Sequence, residues 1–334
     1  MAGTPRYSIV IPMYNEEEVI EETYRRLKMV MSSVGEPYEL LFVNDGSLDR
    51  CAEMIREYAF WDSNVRLLEF SRNFGHQVAV TAGMDHAAGD AVILIDADLQ
   101  DPPELILPMI AKWKEGYDVV YAKRLRRKGE TWFKLATASA FYRVLRACTD
   151  TPIPVDTGDF RLMDRRVVAE MKRLTEKNRF VRGLVSWVGF KQTAVEYERD
   201  ERLAGETKYP LRSMIKLCLD GITSFSSKPL KLAGYAGALL SAAGFVYLAY
   251  ILGLAAFTDR AVKGWTSLMG ITLLLDGVIL LMIGILGEYV GRIYEESKNR
   301  PLYILKDSGT QEEKKQEPVR LDFEHTRIWS NNVP

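Results

Sequence analysis

Two long apolar runs constrain this chain more than any other feature of it. Leu232 to Phe257 contains no charged residue, and Trp265 to Leu286 contains only Asp276. Each run exceeds the roughly 20 residues needed to cross about 30 Å of hydrocarbon, so both are read as transmembrane helices. The apolar fraction of the 334 residues is 47%, ordinary for a globular protein, and it hides a division. Residues 1 to about 225 are mixed and charged, as expected of a large soluble head. Basic residues flank the pair of runs on one side: Arg212, Lys216, Lys228 and Lys231 before the first, Arg292, Lys298 and Arg300 after the second. The intervening loop from Thr258 to Gly264 carries only a small positive excess. The positive-inside rule therefore predicts an inner (cell) membrane, multi-pass protein with the head and both termini in the cytosol.

The remaining global features are permissive. MAGTPRYSIVIPMYNEEE runs straight into an apolar strand without a basic n-region and long h-region, so no cleaved signal peptide is expected. Cys51, Cys148 and Cys218 are scattered without metal-ligand spacing, as in a reducing compartment. A net charge near −1 gives no footing for nucleic acid. From Leu211 to Phe225 the apolar residues Leu211, Met214, Ile215, Cys218, Leu219, Ile222 and Phe225 fall on one helix face, predicting a helix in the membrane interface. Gly287 and Gly291 give a GxxxG spacing, and an acid such as Asp276 rarely faces lipid. A homo-oligomer assembled through the transmembrane region is the expectation.

The head alternates strands and helices. Apolar strands are predicted at Tyr7 to Ile11, Glu39 to Val43, Val65 to Phe70 and Ala91 to Ile95, with helices over Glu16 to Val34, from Asp49 as N-cap, up to about Ala88, and from Pro103 to about Glu115. A further strand at Tyr117 to Tyr121 and a helix at Arg165 to Leu174 are expected. Trp132 to Leu145 has helical spacing, facing either a core or the membrane surface. This order predicts an α/β fold with a mainly parallel sheet covered on both faces, and ligands across the carboxyl ends of its strands. At such an end stands Asp96-Ala97-Asp98. Two carboxylates diverging from one turn can hold Mg²⁺ or Mn²⁺ together with substrate phosphate, although nearby aspartates also serve as turn and helix cap. A second cluster, Asp156, Asp159 and Arg161 around Gly158, is suggestive of a site, though a capped turn before the helix at Arg165 to Leu174 would use similar letters.

VIPMYNEE, VNDGSLD, DADLQDPPE, TGDFRLMDR, RLAGETKYPLRSM and LGEYVGRIYEESKNRPLYI together resemble the family 2 glycosyltransferases of the GT-A fold. The likeness is narrower still to the polyisoprenyl-phosphate hexosyltransferases, which include dolichol-phosphate mannose synthases and bacterial bactoprenol glucosyltransferases. The two-span C-terminus makes the last type the nearest. The resemblance implies metal-dependent, inverting transfer of a hexose, most simply glucose from UDP-glucose, to polyisoprenyl (undecaprenyl) phosphate. The same chemistry from GDP-mannose or a UDP-linked amino sugar is the alternative.

The resemblance also implies roles. Pro12, Tyr14 and Glu16 cup the base and ribose, Asp45 reads the base, and Asp96 lies on the nucleotide side. Asp98, with Asp96 and Gln100, belongs to the metal site. Asp156 and Asp159 are the catalytic candidates, without a choice between them. Arg124, Arg202, Lys208 and Arg161 are implied to hold the acceptor phosphate. Residues 1–210 form the cytosolic GT-A domain, 211–229 the interfacial helix, 230–290 the two-helix transmembrane region and 291–334 the cytosolic tail. A processive polysaccharide synthase is disfavoured because its Q-x-x-R-W pattern is absent and two spans are too few for a polymer channel. A non-catalytic membrane adaptor or translocator is the rival from another class.

Overall fold

A computed structural model describes residues 4–125, 157–197, 228–257 and 264–306. Asp156, Arg202, Lys208 and the helices expected over 132–145 and 211–225 lie outside the described residues.

The head begins as the hydrophobic pattern predicts. Strand β1 (Tyr7–Met13), helix α1 (Glu17–Val34), strand β2 (Tyr38–Asn44), helix α2 (Cys51–Trp61), strand β3 (Val65–Glu69), helix α3 (His76–His86) and strand β4 (Ala91–Leu94) alternate without interruption. Asp49 stands one residue outside the α2 cap position, which Arg50 occupies, and its Oδ1 still accepts from the Cys51 N–H at 3.1 Å. Beyond a short 3₁₀ turn come α4 (Ile106–Lys114), β5 (Val119–Arg124), β6 (Thr157–Asp164), α5 (Arg165–Arg173), α6 (Val181–Trp187) and β7 (Gln192–Tyr197).

The sheet runs β3-β2-β1-β4-β6-β5-β7. Its first four strands are parallel, as predicted, whereas β6 runs antiparallel to both β4 and β5. Strand alternation sends Ile9, Ile11 and Phe42 into one core beneath α1, α2 and α4, and Val10, Leu41 and Val43 into a second core beneath α3, α5 and α6. The expected doubly covered layer is thus present. Strand β6 corrects the capped-turn reading around Gly158: the stretch is a buried strand, and its charged letters Asp159 and Arg161 are only 6% and 4% exposed.

Helices α7 (Lys228–Phe257) and α8 (Trp265–Ser297) follow, each long and apolar enough to cross a membrane, with none of either span window buried in the protein. The chain then returns to the head. Phe70 bridges Leu305, Ser71 N–H donates to Ile304 O at 2.9 Å, and Lys306 N–H donates to Glu69 O at 2.7 Å. Tyr303 stacks on Phe70 with ring centroids 5.2 Å apart. Where α8 ends, Glu296 Oε1 accepts from the Lys177 N–H at 2.7 Å.

Candidate active site

The turn leaving β4 is held from three directions. Ile95 N–H still donates to Val10 O at 3.1 Å, so the chain stays in the sheet up to that residue. The Thr23 hydroxyl of α1 reaches Ala97 O at 2.8 Å, and Gln100 N–H donates to Asp98 Oδ1 at 3.2 Å, a local Asx-type contact. Between them Leu99 sits at φ 55°, a left-handed conformation that costs a residue with a Cβ on the order of 1 kcal/mol or more. Strain of this kind persists where the surroundings over-determine a backbone. The result is that Asp96 and Asp98 leave the sheet edge half-buried, while Gln100 is buried and its Nε2 finds no hydrogen-bond partner among the described residues.

Register explains what faces this turn. Strands β4 and β6 pair Leu94 with Arg161 as the last pair of their ladder, and Asp96 leaves β4 just beyond it, on the side from which Asp159 enters β6. Between the two carboxylates lies His76, the first residue of α3. Its Nε2 is 3.1 Å from Asp159 Oδ2 and 3.6 Å from Asp96 Oδ1. Asp159 is further held by Arg182 Nε at 2.9 Å and Gln77 Nε2 at 3.2 Å. Arg182 also donates to Thr157 O, and Gln77 Oε1 accepts the Val181 N–H at 2.9 Å, which ties the start of α3 to the start of α6.

The electrostatics follow from this row of alternating charge. Burial alone would raise Asp159, yet Arg182 and His76 hold it well below the usual carboxylate range. Burial opposes the His76 cation, but Asp159 and Asp96 together push it up to about 9. Asp96 is raised to about 6 by burial and by Asp159, Asp98 and Asp101, against the pull of His76.

A second, largely enclosed pair stands beside the first. Arg124, at the end of β5, donates through Nη2 to Asp101 at 3.1 Å and through Nε to Tyr197 Oη at 2.9 Å, and the Tyr197 hydroxyl donates to Asp101. Although burial disfavours the Arg124 cation, Asp101 and Tyr197 hold its pKa above the ordinary value. Gly158 passes directly beneath this guanidinium; a Cβ there would meet Nη2 at 2.9 Å, so a side chain would displace it. Arg161 is buried, with its guanidinium on Gly158 O at 2.9 Å and Asp159 O at 3.2 Å. Any influence it has on an anion acts through charge rather than contact.

At the other end of the edge, the loops after β1 and β2 are laced together. Asn15 N–H donates to Ser47 Oγ at 3.0 Å, and Leu48 N–H to Asn15 Oδ1 at 2.8 Å. Asp45 is buried and accepts from the Phe74 and Gly75 N–H groups at 2.7 and 2.9 Å, so it fixes the loop that begins α3. Burial raises its pKa against those two donors. Gly46 adopts φ 68° with the Arg72 and Asn73 backbone at its Cβ position, and no larger residue fits. Pro12 is buried in β1, Tyr14 is 39% exposed, and Glu16 is half-buried just before α1.

The structure therefore brings Asp45, Asp96, Asp98, Asp159 and Arg124 to one sheet edge. Sequence reasoning missed His76, Gln77, Arg182, Asp101 and Tyr197. Only His76 carried a usable signal: it opens the helix after the third strand, on the edge where ligands bind.

Residues 8–172 match Glycosyl transferase family 2, and residues 228–293 match the GtrB C-terminal hairpin. The chain belongs to glycosyl transferase family 2, an enzyme family with the GT-A fold, as the six motifs led us to expect. Among individual relatives, an uncharacterized glycosyltransferase of Bacillus subtilis (strain 168) is 66% identical over 303 residues, covering 91% of this chain and 94% of its own. The prophage bactoprenol glucosyl transferase homolog of Escherichia coli (strain K12) is 43% identical over 301 residues, covering 90% and 98%. The SfII prophage-derived bactoprenol glucosyl transferase of Shigella flexneri is 44% identical over 303 residues, covering 91% and 98%.

Proposed function

We propose that this enzyme transfers glucose from UDP-glucose to polyisoprenyl (undecaprenyl) phosphate at the cytosolic membrane face, with inversion and with Mg²⁺ or Mn²⁺. The observation that carries the reading is a carboxylate-rich sheet edge joined, through residues 301–306, to a hairpin long enough to cross a bilayer. A charged sugar nucleotide comes from water and a lipid phosphate from the membrane, and one molecule with both parts serves both. Relatives named for bactoprenol glucosyl transfer share the head and the hairpin alike.

The metal fits the residues present. Asp96 and Asp98 diverge half-buried from one turn; no group of three or more His, Cys, Asp or Glu side chains able to hold a metal by itself stands among the described residues, this turn included. One or two carboxylates completed by substrate phosphates is the usual way such a cation is held. Asp98 would be the principal ligand, with Asp96 and Gln100 beside it. When bound, the cation neutralises charge developing on the diphosphate leaving group.

The acceptor is its own nucleophile. A phosphate monoester has a second pKa near 6 and arrives mostly ionised, so a strong general base is not required. Asp159, held low by Arg182 and His76, is a poor proton acceptor at neutral pH and suits positioning. Asp156 shares that assignment as the second candidate. Arg124, Arg202, Lys208 and Arg161 supply positive charge toward the two anions being brought together, and Pro12, Tyr14, Glu16 and Asp45 form the nucleotide end. The working division is a cytosolic GT-A head over 1–210, an interfacial helix over 211–229, spans over 230–290 and a cytosolic tail over 291–334, with copies associating through the spans.

The test is to incubate purified protein with radiolabelled UDP-glucose, UDP-galactose, a UDP-linked amino sugar and GDP-mannose plus undecaprenyl phosphate. Label entering the organic phase from UDP-glucose supports the proposal. Label from another donor alone corrects the sugar, and no label from any donor overturns the reaction.

A further inference from the structure

We propose that His76 is a positioning residue for the transfer, its Nε2–H holding Asp159 beside the Asp96 turn and so fixing the spacing of the donor-side and acceptor-side carboxylates. The inference rests on the reaction proposed above. It begins from a shared neighbour: Asp96 and Asp159 both approach His76 Nε2, and two carboxylates brought to one site repel. A hydrogen-bond donor between them removes that conflict, and His76 is 3.1 Å from one and 3.6 Å from the other. An ionised carboxylate only accepts, so the imidazole nitrogen against Asp159 carries a proton whatever the state of the other nitrogen.

The histidine is itself firmly placed. Asp45 holds the two preceding residues through the N–H groups of Phe74 and Gly75. The following residue, Gln77, bonds both Asp159 and the Val181 N–H. The start of α3 is thus fixed at the β2 edge, at β6 and at α6. A donor anchored at three points sets the position of a carboxylate more closely than one on a free loop, and a misplacement of about 1 Å in a reacting site can cost on the order of 10²-fold in rate.

Two measurements decide it. In steady-state assays with UDP-glucose and undecaprenyl phosphate, His76→Ala lowers kcat by at least about tenfold while KM for the sugar nucleotide stays within about threefold, and His76→Gln, which keeps a side-chain N–H donor, recovers most of the loss. Separately, the chain has three histidines, His76, His86 and His325, so selective ¹⁵N-histidine labelling gives a readily assigned imidazole spectrum. The His76 Nε2 resonance is protonated in the full-length protein and shifts in Asp159→Asn. Wild-type kcat in His76→Ala, equal losses in the Ala and Gln variants, or an unprotonated Nε2 would each overturn the proposal. If the unaltered enzyme transfers no sugar to lipid phosphate, the reaction reading fails instead, and the imidazole spectrum still decides whether His76 holds Asp159.

Discussion

The head and the hairpin bury their apolar surface by opposite rules. In the head, Ile9, Val10, Ile11 and Phe42 have no exposure at all, and even charged side chains are enclosed and bonded, Asp159 to Arg182 and Arg161 to the backbone carbonyls of Gly158 and Asp159. On the hairpin, Leu239 is 72% exposed and Leu280 68%, and the span windows have no buried residue. Protein atoms of this chain complete the first region, whereas the second is long and apolar enough to be completed by hydrocarbon, and apolar area left in water costs about 25 cal/mol per Å². The contrast places the chemistry as well. Polar groups can be concentrated at the sheet edge because the sheet is covered by its own helices on both faces.

The hardest way to break this contrast is to charge the hairpin. Each Arg at the centre of a span costs roughly 3 kcal/mol of insertion. The double variant Leu239→Arg, Leu280→Arg is therefore expected to leave the membrane fraction while the purified head still binds UDP. Retention of the variant in carbonate-washed membranes would show that the hairpin is not held by hydrocarbon.

Next in size is Asp98→Ala, which leaves the hairpin alone and strips the sheet edge. Loss of metal-assisted charge neutralisation is expected to lower transfer by about 10²- to 10³-fold, on the scale of removing one preorganised transition-state contact. Turnover is measured in membranes at saturating donor, with an unfolding curve to show that the fold persists. Near-normal turnover of the variant in EDTA would remove Asp98 from the metal site.

The junction between the regions is the third target. Tyr303 stacks on Phe70 and its hydroxyl donates to Asp85 at 3.2 Å, so Tyr303→Ala loses an aromatic pair and a hydrogen bond, together roughly 2 kcal/mol. A lower thermal midpoint is expected, together with faster proteolysis after residue 297. An unchanged midpoint and an unchanged cleavage pattern would mean that the return segment contributes nothing to holding the hairpin on the head.

What the sequence revealed divides along the same line. Strands β1 to β4 were legible because short, mainly apolar runs give way to polar turn residues, and the apolar stretches of α7 and α8 because nothing else has that composition. Helix α8 nevertheless outruns its apolar stretch, from Leu286 to Ser297, since pairs such as Glu288 with Arg292 sustain a polar helix. Strand β6 was illegible for a physical reason. Thr-Gly-Asp-Phe-Arg reads as a turn until Asp159 is neutralised by Arg182 and His76, which are distant in sequence and meet only in the fold. Asp96, Asp98 and Asp45 could be placed at the edge from their strands alone. The environment of each, and so its chemistry, depends on partners that local pattern does not show.

The smallest expected effect lies where head strand meets head helix. Asp164 ends β6 and caps α5: its Oδ1 accepts from the Arg166 N–H at 2.9 Å, and its Oδ2 from Trp113 Nε1 at 2.8 Å. Burial raises its pKa, but those donors and the Arg166 guanidinium outweigh burial and leave it below the ordinary aspartate value. Asp164→Ala is expected to cost about 1 kcal/mol as a lost cap. Asp164→Asn keeps the cap geometry and removes only the charge, so it isolates the titration. A carboxyl whose folded pKa lies below its unfolded value of about 3.9 stabilises fully above that pH and loses the contribution as pH falls through the folded pKa. The stability gap between wild type and Asp164→Asn, measured by urea unfolding, is therefore constant from neutrality down to about pH 5 and closes below about pH 4. A gap that widened on acidification would mean the carboxyl is held above its ordinary pKa, with burial outweighing the donors that Arg166 and Trp113 provide.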